Sequence, residues 1–293
     1  MMSTTHEDNT TSDDPFYILN NGTRVPVLAF GLYKIPGTNE GEEIISSAIK
    51  SGYRHFDTAS LYQNEQILGN AIRKSGIARD RFFVSSKVWN DAQKEGRSAV
   101  RDSVEKSLKL LGFVWLDLVY IHWPVPECYI ETYKELQALH SEGKIRGIAL
   151  SNFGIEEYQN LLRSKEMTIL PTCNQIEVSP FMYRPGIIDY FEKQNIVVAA
   201  SKALHRAVGM DEGAVASISR KHLVTPAQIM VRWALQKRLI VVVKTSQVQR
   251  MKENRSVLHF ALSDEEMQAL ETLTSPEDIA DRAALEIKRR NGA

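Results

Sequence analysis

The sequence predicts an α/β fold, a closed (β/α)8 barrel of the TIM type entered through an N-terminal β-hairpin. Apolar strand-like runs alternate with amphipathic stretches along the chain in about eight units, the texture of buried parallel strands beneath outer helices. No Gly-x-Gly-x-x-Gly follows an early strand, which removes the main sequence signal for the alternative, an open doubly wound nucleotide-binding sheet. Composition shows no second regime, so residues 15–293 read as one barrel domain with a C-terminal helical tail.

Residues 1–14, rich in Ser, Thr, Asp and Asn, read as a disordered lead-in. Phe16–Leu19 and Val25–Leu28 then flank Asn20-Asn-Gly-Thr; Asn-Gly supplies the positive φ of a tight turn, hence the hairpin. Strands are expected at Leu28–Gly31, Tyr53–Phe56, Phe82–Val84, Leu116–Ile121 and Ile145–Leu150, then at Asn174–Val178, Ile196–Ala200 and Leu239–Val243. Helices are expected between them, at Glu40–Lys50, Asn64–Ser75, Ala99–Leu111 and Ile130–His140, then Glu156–Leu162, Ile187–Lys193, Pro226–Gln236 and Asp264–Leu273. Val100, Val104, Leu108 and Leu111 recur at helical spacing, with Asp102, Lys106 and Lys109 left for the wet face.

Of the 293 residues 43% are hydrophobic and 25% charged, and 36 Lys plus Arg cancel 36 Asp plus Glu. Such a balance advertises neither a nucleic acid nor a membrane surface as partner. No apolar run approaches the ~20 residues of a membrane span, and the acidic N-terminus lacks the layout of a signal peptide. Two cysteines, Cys128 and Cys173, are too few for a disulfide framework or a zinc cluster. The expectation is a soluble cytoplasmic protein without a metal, and a monomer, since no spare apolar surface is evident.

In a barrel, chemistry sits where strands run into the loops at their C-terminal ends. Tyr53-Arg-His-Phe-Asp57 ends in a carboxylate, with Tyr62 five residues on; Phe82 to Lys87 ends in an ammonium; Leu118 to His122 ends in an imidazole. Each has a bland reading: a helix N-cap for Asp57, a half-buried aromatic for Tyr62, a solvated strand end for Lys87, a core histidine for His122. All four falling at one rim argues instead for a shared site. There an ammonium lowers the pKa of a phenol, a carboxylate holds the ammonium charged, and an imidazole hydrogen-bonds a substrate oxygen. This set can protonate a carbonyl oxygen. Nothing in the chain supplies hydride, so a cofactor is implied.

At these residues the sequence resembles the aldo-keto reductase superfamily. Gly52-Tyr-Arg-His-Phe-Asp-Thr-Ala59 with Leu61-Tyr-Gln-Asn-Glu65, Ser86-Lys-Val-Trp89 and Ile121-His-Trp-Pro124 are similar to its Asp/Tyr, lysine and histidine motifs. Gly143-Lys-Ile-Arg-Gly147 with Leu150-Ser-Asn-Phe153, Asn174-Gln-Ile-Glu177 and the segment Lys244 to Asn254 extend the likeness, in order, from Tyr17 to Leu273. The resemblance implies NADPH-dependent, reversible reduction of aldehydes or ketones, with Tyr62 as acid/base, Lys87 and Asp57 assisting, and His122 orienting the carbonyl. It implies Ser151, Asn152 and Gln175 at the nicotinamide carboxamide, with Gly31, Leu32, Asp57 and Ser201 also along the cofactor. Lys244, Thr245, Ser246, Arg250, Glu253 and Asn254 would grip the adenosine end. A guanidinium and an ammonium beside a helix start at Val248, here Arg250 and Lys244, suit a dianionic 2′-phosphate.

One departure concerns the tyrosine that stacks on the nicotinamide in this superfamily. Within Ala199-Ala-Ser-Lys-Ala-Leu204 the expectation puts Ala200 at that position, with Lys202, His205 and Arg206 free to reach the pyrophosphate. By position Tyr33, Trp89 and Trp123 line an apolar substrate mouth, expected to be open and tolerant. The charged segment after Leu273, with Ile279, Ala283 and Ile287 at helical spacing, would cross the barrel foot or rim. Two rival functions are an NADP(H)-binding sensor with little turnover, which the intact Asp57, Tyr62, Lys87 and His122 oppose, and a metal-dependent barrel hydrolase, which lacks its ligand set.

Overall fold

In the computed structural model, which describes residues 15–205 and 208–291, the chain opens with strands β1 (Phe16–Ile18) and β2 (Arg24–Pro26), paired antiparallel. Gly22 takes φ +81° at the intervening turn, a conformation open to glycine without a Cβ clash. The lead-in at 1–14 and Arg206 lie outside the described residues.

Eight parallel strands then close into a barrel: β3 (Leu28–Gly31), β4 (His55–Asp57), β5 (Phe83–Val88), β6 (Leu118–Ile121), β7 (Ile148–Ser151), β8 (Cys173–Glu177), β9 (Val197–Ser201) and β10 (Ile240–Val243). Closure is made by β10, which pairs with β3 at Val243 and Phe30 and with β9 at Val241 and Ala200. This register settles the choice between barrel and open sheet. The inside is a compact cluster of Phe83, Leu118, Tyr120, Ala149, Cys173, Ala199 and Ile240, plugged from the hairpin by Leu19 and Val25. Asn20 Nδ2 donates to the Pro171 and Asn195 carbonyls and Asn21 Nδ2 to that of Arg146, so the hairpin seals the end where strands begin. The opposite rim stays available for chemistry.

Outside the strands, helices bury the apolar stripes that the periodicity marks. In α4 (Arg97–Leu111) Val100, Val104, Leu108 and Leu111 are buried. Helices α1 (Asn39–Lys50), α2 (Glu65–Lys74), α5 (Tyr129–Ser141), α6 (Ile155–Arg163), α7 (Pro185–Lys193), α9 (Pro226–Gln236) and α11 (Asp264–Glu271) match the expected ones within a few residues. Thr225 and Ser263 start α9 and α11 with reciprocal capping boxes. Two helices escape the periodicity: the short α3 (Asn90–Glu95) and α8 (Gly213–His222), whose inward face is made of Val215, Ala216, Ile218 and Ser219. Small side chains carry too little contrast to read. The expected helix start at Val248 is α10 (Val248–Arg255).

The tail forms α12 (Pro276–Arg290), capped by Ser275. It lies on the rim, but not by the face its spacing picks out. Ile279 and Ile287 are 43% and 60% exposed, and the buried residue of the helix is Arg282. No helix among the described residues is long and apolar enough to cross a membrane.

Candidate active site

Asp57 ends β4, in register with Gly31 and Ser85 on the flanking strands. Lys87 lies two residues beyond Ser85 on the same strand, so both side chains point to the same face. The Lys87 ammonium donates to Asp57 Oδ2 at 2.5 Å and to the Thr58 carbonyl at 2.9 Å. The other oxygen of Asp57 accepts from Ser85 Oγ at 2.9 Å and Gln175 Nε2 at 3.2 Å. Charge and lone pairs are thus matched in a buried place, which such a pair requires.

Tyr62 closes the 3-10 turn Ser60–Tyr62, pinned to β5 by Ser60 Oγ donating to the Lys87 carbonyl at 3.0 Å. Its ring lies 5.5 Å from Lys87 Nζ and 5.8 Å, edge-on, from the His122 ring. His122 directly follows β6, its backbone N–H on the Val88 carbonyl at 3.1 Å. Tyr33 packs on Tyr62 at 5.3 Å and Trp89 on His122 at 4.9 Å. The four groups expected to act together stand at one rim.

Their proton affinities differ from expectation in one respect. Burial, then the Asp57 charge, then Tyr33, hold the Tyr62 phenol well above its ordinary range. Burial, the largest cause, outweighs the lowering expected from the lysine, whose charge Asp57 matches at 2.5 Å. Burial pulls the Lys87 ammonium down, opposed by Asp57. Burial, with the charges of Lys87 and Arg289, pushes His122 well below the usual imidazole range. His122 is therefore neutral, and its buried Nδ1 has no partner among the described residues.

Beside this set, Ser151 ends β7 directly in register with Gln175, two residues before the end of β8. Ser151 Oγ donates to the Gln175 carbonyl at 3.0 Å. Asn152, at φ +59°, turns its Nδ2 to the His122 carbonyl at 2.9 Å and to Ser151 Oγ at 3.0 Å. Three amide and hydroxyl groups thus border the tetrad. On the far side, Thr245 Oγ1 accepts from Gln247 N–H at 3.1 Å and shapes the turn into α10. Asn254 is buried, Ser246 exposed, and Glu253 accepts from Gln249. Lys244 and Arg250 are exposed, and among the described residues neither is paired with a carboxylate. Two uncommitted cations beside a helix start fit a dianionic phosphate.

Three expectations are corrected. Ala200 does not face the cofactor side: it is fully buried in the layer between strands and helices, while Ala199 faces the barrel interior. Side chains alternate along a strand, so the inward rim residue of β9 is Ser201, half-exposed and in register with Glu177. Leu32 has no group left for a ligand. Its N–H donates to the Asp57 carbonyl, its own carbonyl accepts from Asn64 Nδ2 and Ile35 N–H, and its side chain is core. Gly31 does stand at the rim, where a Cβ would meet Val242 Cγ1 at 2.8 Å. Finally, Lys202 is not free for a pyrophosphate, since it binds Glu177 Oε2 at 2.5 Å, and His205 lies against the Phe181 ring at 5.0 Å.

The mouth is also less open than expected. Helix α12 runs along the rim over the loops that follow β5 to β8. Asn90 Nδ2 donates to the Arg289 carbonyl at 2.9 Å, Arg290 pairs with Glu157, and Arg184 reaches Glu286 at 3.3 Å. Arg282 donates to Glu177 Oε2 at 2.6 Å and Asn152 Oδ1 at 2.7 Å, with its guanidinium 5.7 Å from the Trp123 ring. Tyr33 and Trp89 flank the tetrad, and Trp123 lies under α12. Sequence reasoning missed Arg282 because it sits in a charged tail where every neighbour looks solvated.

A model of the aldo/keto reductase family matches residues 27–275, ending just before α12. The chain is 36% identical over 261 residues to a glyoxal reductase of Bacillus subtilis (89% of this chain, 93% of the relative). It is 31% identical over 286 residues to an aldehyde reductase of Saccharomyces cerevisiae (87% and 89%). Among solved structures it superposes on the aldose reductase of Schistosoma japonicum with a TM-score of 0.83 at 32% identity (90% and 94% covered). A Bombyx mori aldo-keto reductase in complex with NADP gives 0.82 at 28% identity (91% and 97%).

Proposed function

The chain belongs to the aldo/keto reductase family and is an NADP(H)-dependent oxidoreductase that reduces carbonyl groups; on that premise, we propose that Tyr62 supplies the proton, with Asp57, Lys87 and His122 completing the catalytic set. The nicotinamide, when bound, supplies the hydride. A phenol held above its ordinary range is protonated at neutral pH and so is in the state needed to donate. Neutral His122 offers its imidazole to the carbonyl oxygen and fixes its direction. As the proton leaves Tyr62, the Lys87 ammonium, 5.5 Å from the ring centre, stabilises the phenolate that forms. Asp57 keeps that ammonium charged and in place. In the reverse direction the phenolate takes the alcohol proton back.

Ser151, Asn152 and Gln175 are the residues assigned to the nicotinamide carboxamide, and Lys244 and Arg250, with Thr245 and Asn254, to the adenosine end. The substrate is a small carbonyl compound entering past Tyr33 and Trp89, with Trp123 at the floor of the α12 side. The relatives named for glyoxal and aldehyde reduction support an aldehyde-type substrate. Balanced charge and two free thiols support a cytoplasmic monomer that binds no nucleic acid, with residues 15–293 acting as one domain.

The observation that carries this reading is the Lys87 ammonium held between the Asp57 carboxylate and the Tyr62 ring. Its test is NADPH oxidation with a panel of aldehydes and ketones, wild type against Tyr62→Phe. Turnover should fall roughly 10²–10⁴-fold, while NADPH affinity stays within about twofold, as expected for a group used in the transition state. A Tyr62→Phe variant that turns over at the wild-type rate would remove Tyr62 as the acid.

A further inference from the structure

We propose that α12 is a latch over the site: Arg282 occupies Asn152 and Glu177, and the cofactor's nicotinamide end competes with it for Asn152. This rests on the assignment of Asn152 to the carboxamide. Both hydrogens of the Asn152 amide are in use, and Arg282 holds one of the two acceptor positions on its Oδ1. Nδ2 serves the His122 carbonyl and Ser151 Oγ, and Oδ1 accepts from Arg282 at 2.7 Å. A carboxamide N–H reaching Oδ1 therefore competes with the Arg282 guanidinium at the same oxygen. The His122 and Ser151 contacts belong to adjoining strand ends, which the barrel ladder holds; Arg282 belongs to a surface helix and is the partner free to leave.

The helix is held in a way that permits release. Its apolar residues Ile279 and Ile287 face solvent, and its buried residue is Arg282. Apolar burial is the term that commits a helix to its dock. Here the dock is polar instead: Arg282 on Glu177 at 2.6 Å, Arg184 on Glu286 at 3.3 Å, the pair Arg290–Glu157, and Asn90 on a backbone carbonyl. Desolvation offsets much of the attraction in such pairs. On departure Glu177 keeps Lys202 at 2.5 Å and Arg282 gains water, while Arg184 and Glu157 give up their α12 partners to solvent. A ligand favouring the open state shifts the population while losing apparent affinity to the latch.

The direction of one measurement decides the matter. NADPH is titrated by quenching of tryptophan fluorescence into wild type, Arg282→Ala, and Arg290→Ala, which loosens the helix at the far end from Asn152. Adenosine 2′,5′-bisphosphate, which has the adenosine and 2′-phosphate but no nicotinamide, is the parallel probe. Arg282→Ala should bind NADPH about fivefold tighter or more, with Arg290→Ala shifted the same way and the bisphosphate affinity unchanged in both. Backbone amides of 279–290 should exchange hydrogen faster once NADPH is bound. Weaker NADPH binding by Arg282→Ala, equal shifts for both probes, or protection of those amides each overturns the latch. If Asn152→Ala binds NADPH as wild type does, the carboxamide assignment fails and the latch with it. If Asn152→Ala weakens NADPH while Arg282→Ala does not tighten it, the latch alone fails.

Discussion

Lys87 and Asp57 make an ion pair at 2.5 Å in which their side chains are 0% and 6% exposed. Asp57 also accepts from Ser85 and Gln175, so the carboxyl group stays fixed in place when its cation is removed. That asymmetry has a measurable consequence. Lys87→Met should destabilise the protein by about 3–5 kcal/mol, the usual result of leaving a buried charge unpaired. Adding Asp57→Asn should restore most of that loss without restoring turnover. Urea midpoints of the three variants check this, and an unperturbed Lys87→Met would mean that water reaches the pair.

Stability should fall on mild acidification. Burial holds His122, and also His55 at the barrel base, below the ordinary value of 6.5. Both take up protons at lower pH in the fold than they do in the unfolded chain. The unfolded state then binds more protons, so folding is weakened by about 1.4 kcal/mol per pH unit for each such histidine, from about pH 6.5 downward. The Glu266 carboxyl lies at about 2, and what it contributes is lost only at more acid pH. Denaturation between pH 7.5 and 5 should show the slope, and His122→Gln should reduce it.

Cofactor choice should reside in Arg250 and Lys244. Each is exposed and uncommitted among the described residues. Arg250→Ala should weaken NADPH binding by at least about tenfold, the worth of one charge-assisted contact, and leave NADH nearly unchanged. Fluorescence titration with both dinucleotides tests this; equal losses would place the phosphate elsewhere.

The register of β9 makes two neighbouring substitutions behave differently. Ala200 is fully buried against the helices, so Ala200→Tyr should cost about 3 kcal/mol or more through overpacking. Ser201 is half-exposed at the rim, and Ser201→Tyr should leave the thermal midpoint within a few degrees of wild type, about 1 kcal/mol at most. Thermal melts distinguish the two, and equal destabilisation would contradict this facing of the strand.

Local pattern was enough for much of this molecule. The barrel, its hairpin and most of its helices follow from periodicity because burial enforces a period of two on strands and 3.6 on helices. Asp57, Lys87 and His122 were legible for the related reason that an apolar strand has no packing use for a charge at its end. What sequence by itself could not decide was set by contacts between distant segments. One residue of phase in β9 exchanged Ala200 for Ser201, since a strand's two faces are told apart only by its neighbours. Burial of Tyr62 outweighs the lysine expected to acidify it, whose charge is matched by Asp57, 30 residues away in sequence. The apolar spacing of α12 forecast a helix and the wrong face. A side chain's charge says nothing of where it will be buried, and Arg282 is buried because Glu177, 105 residues earlier, ends a strand beneath it.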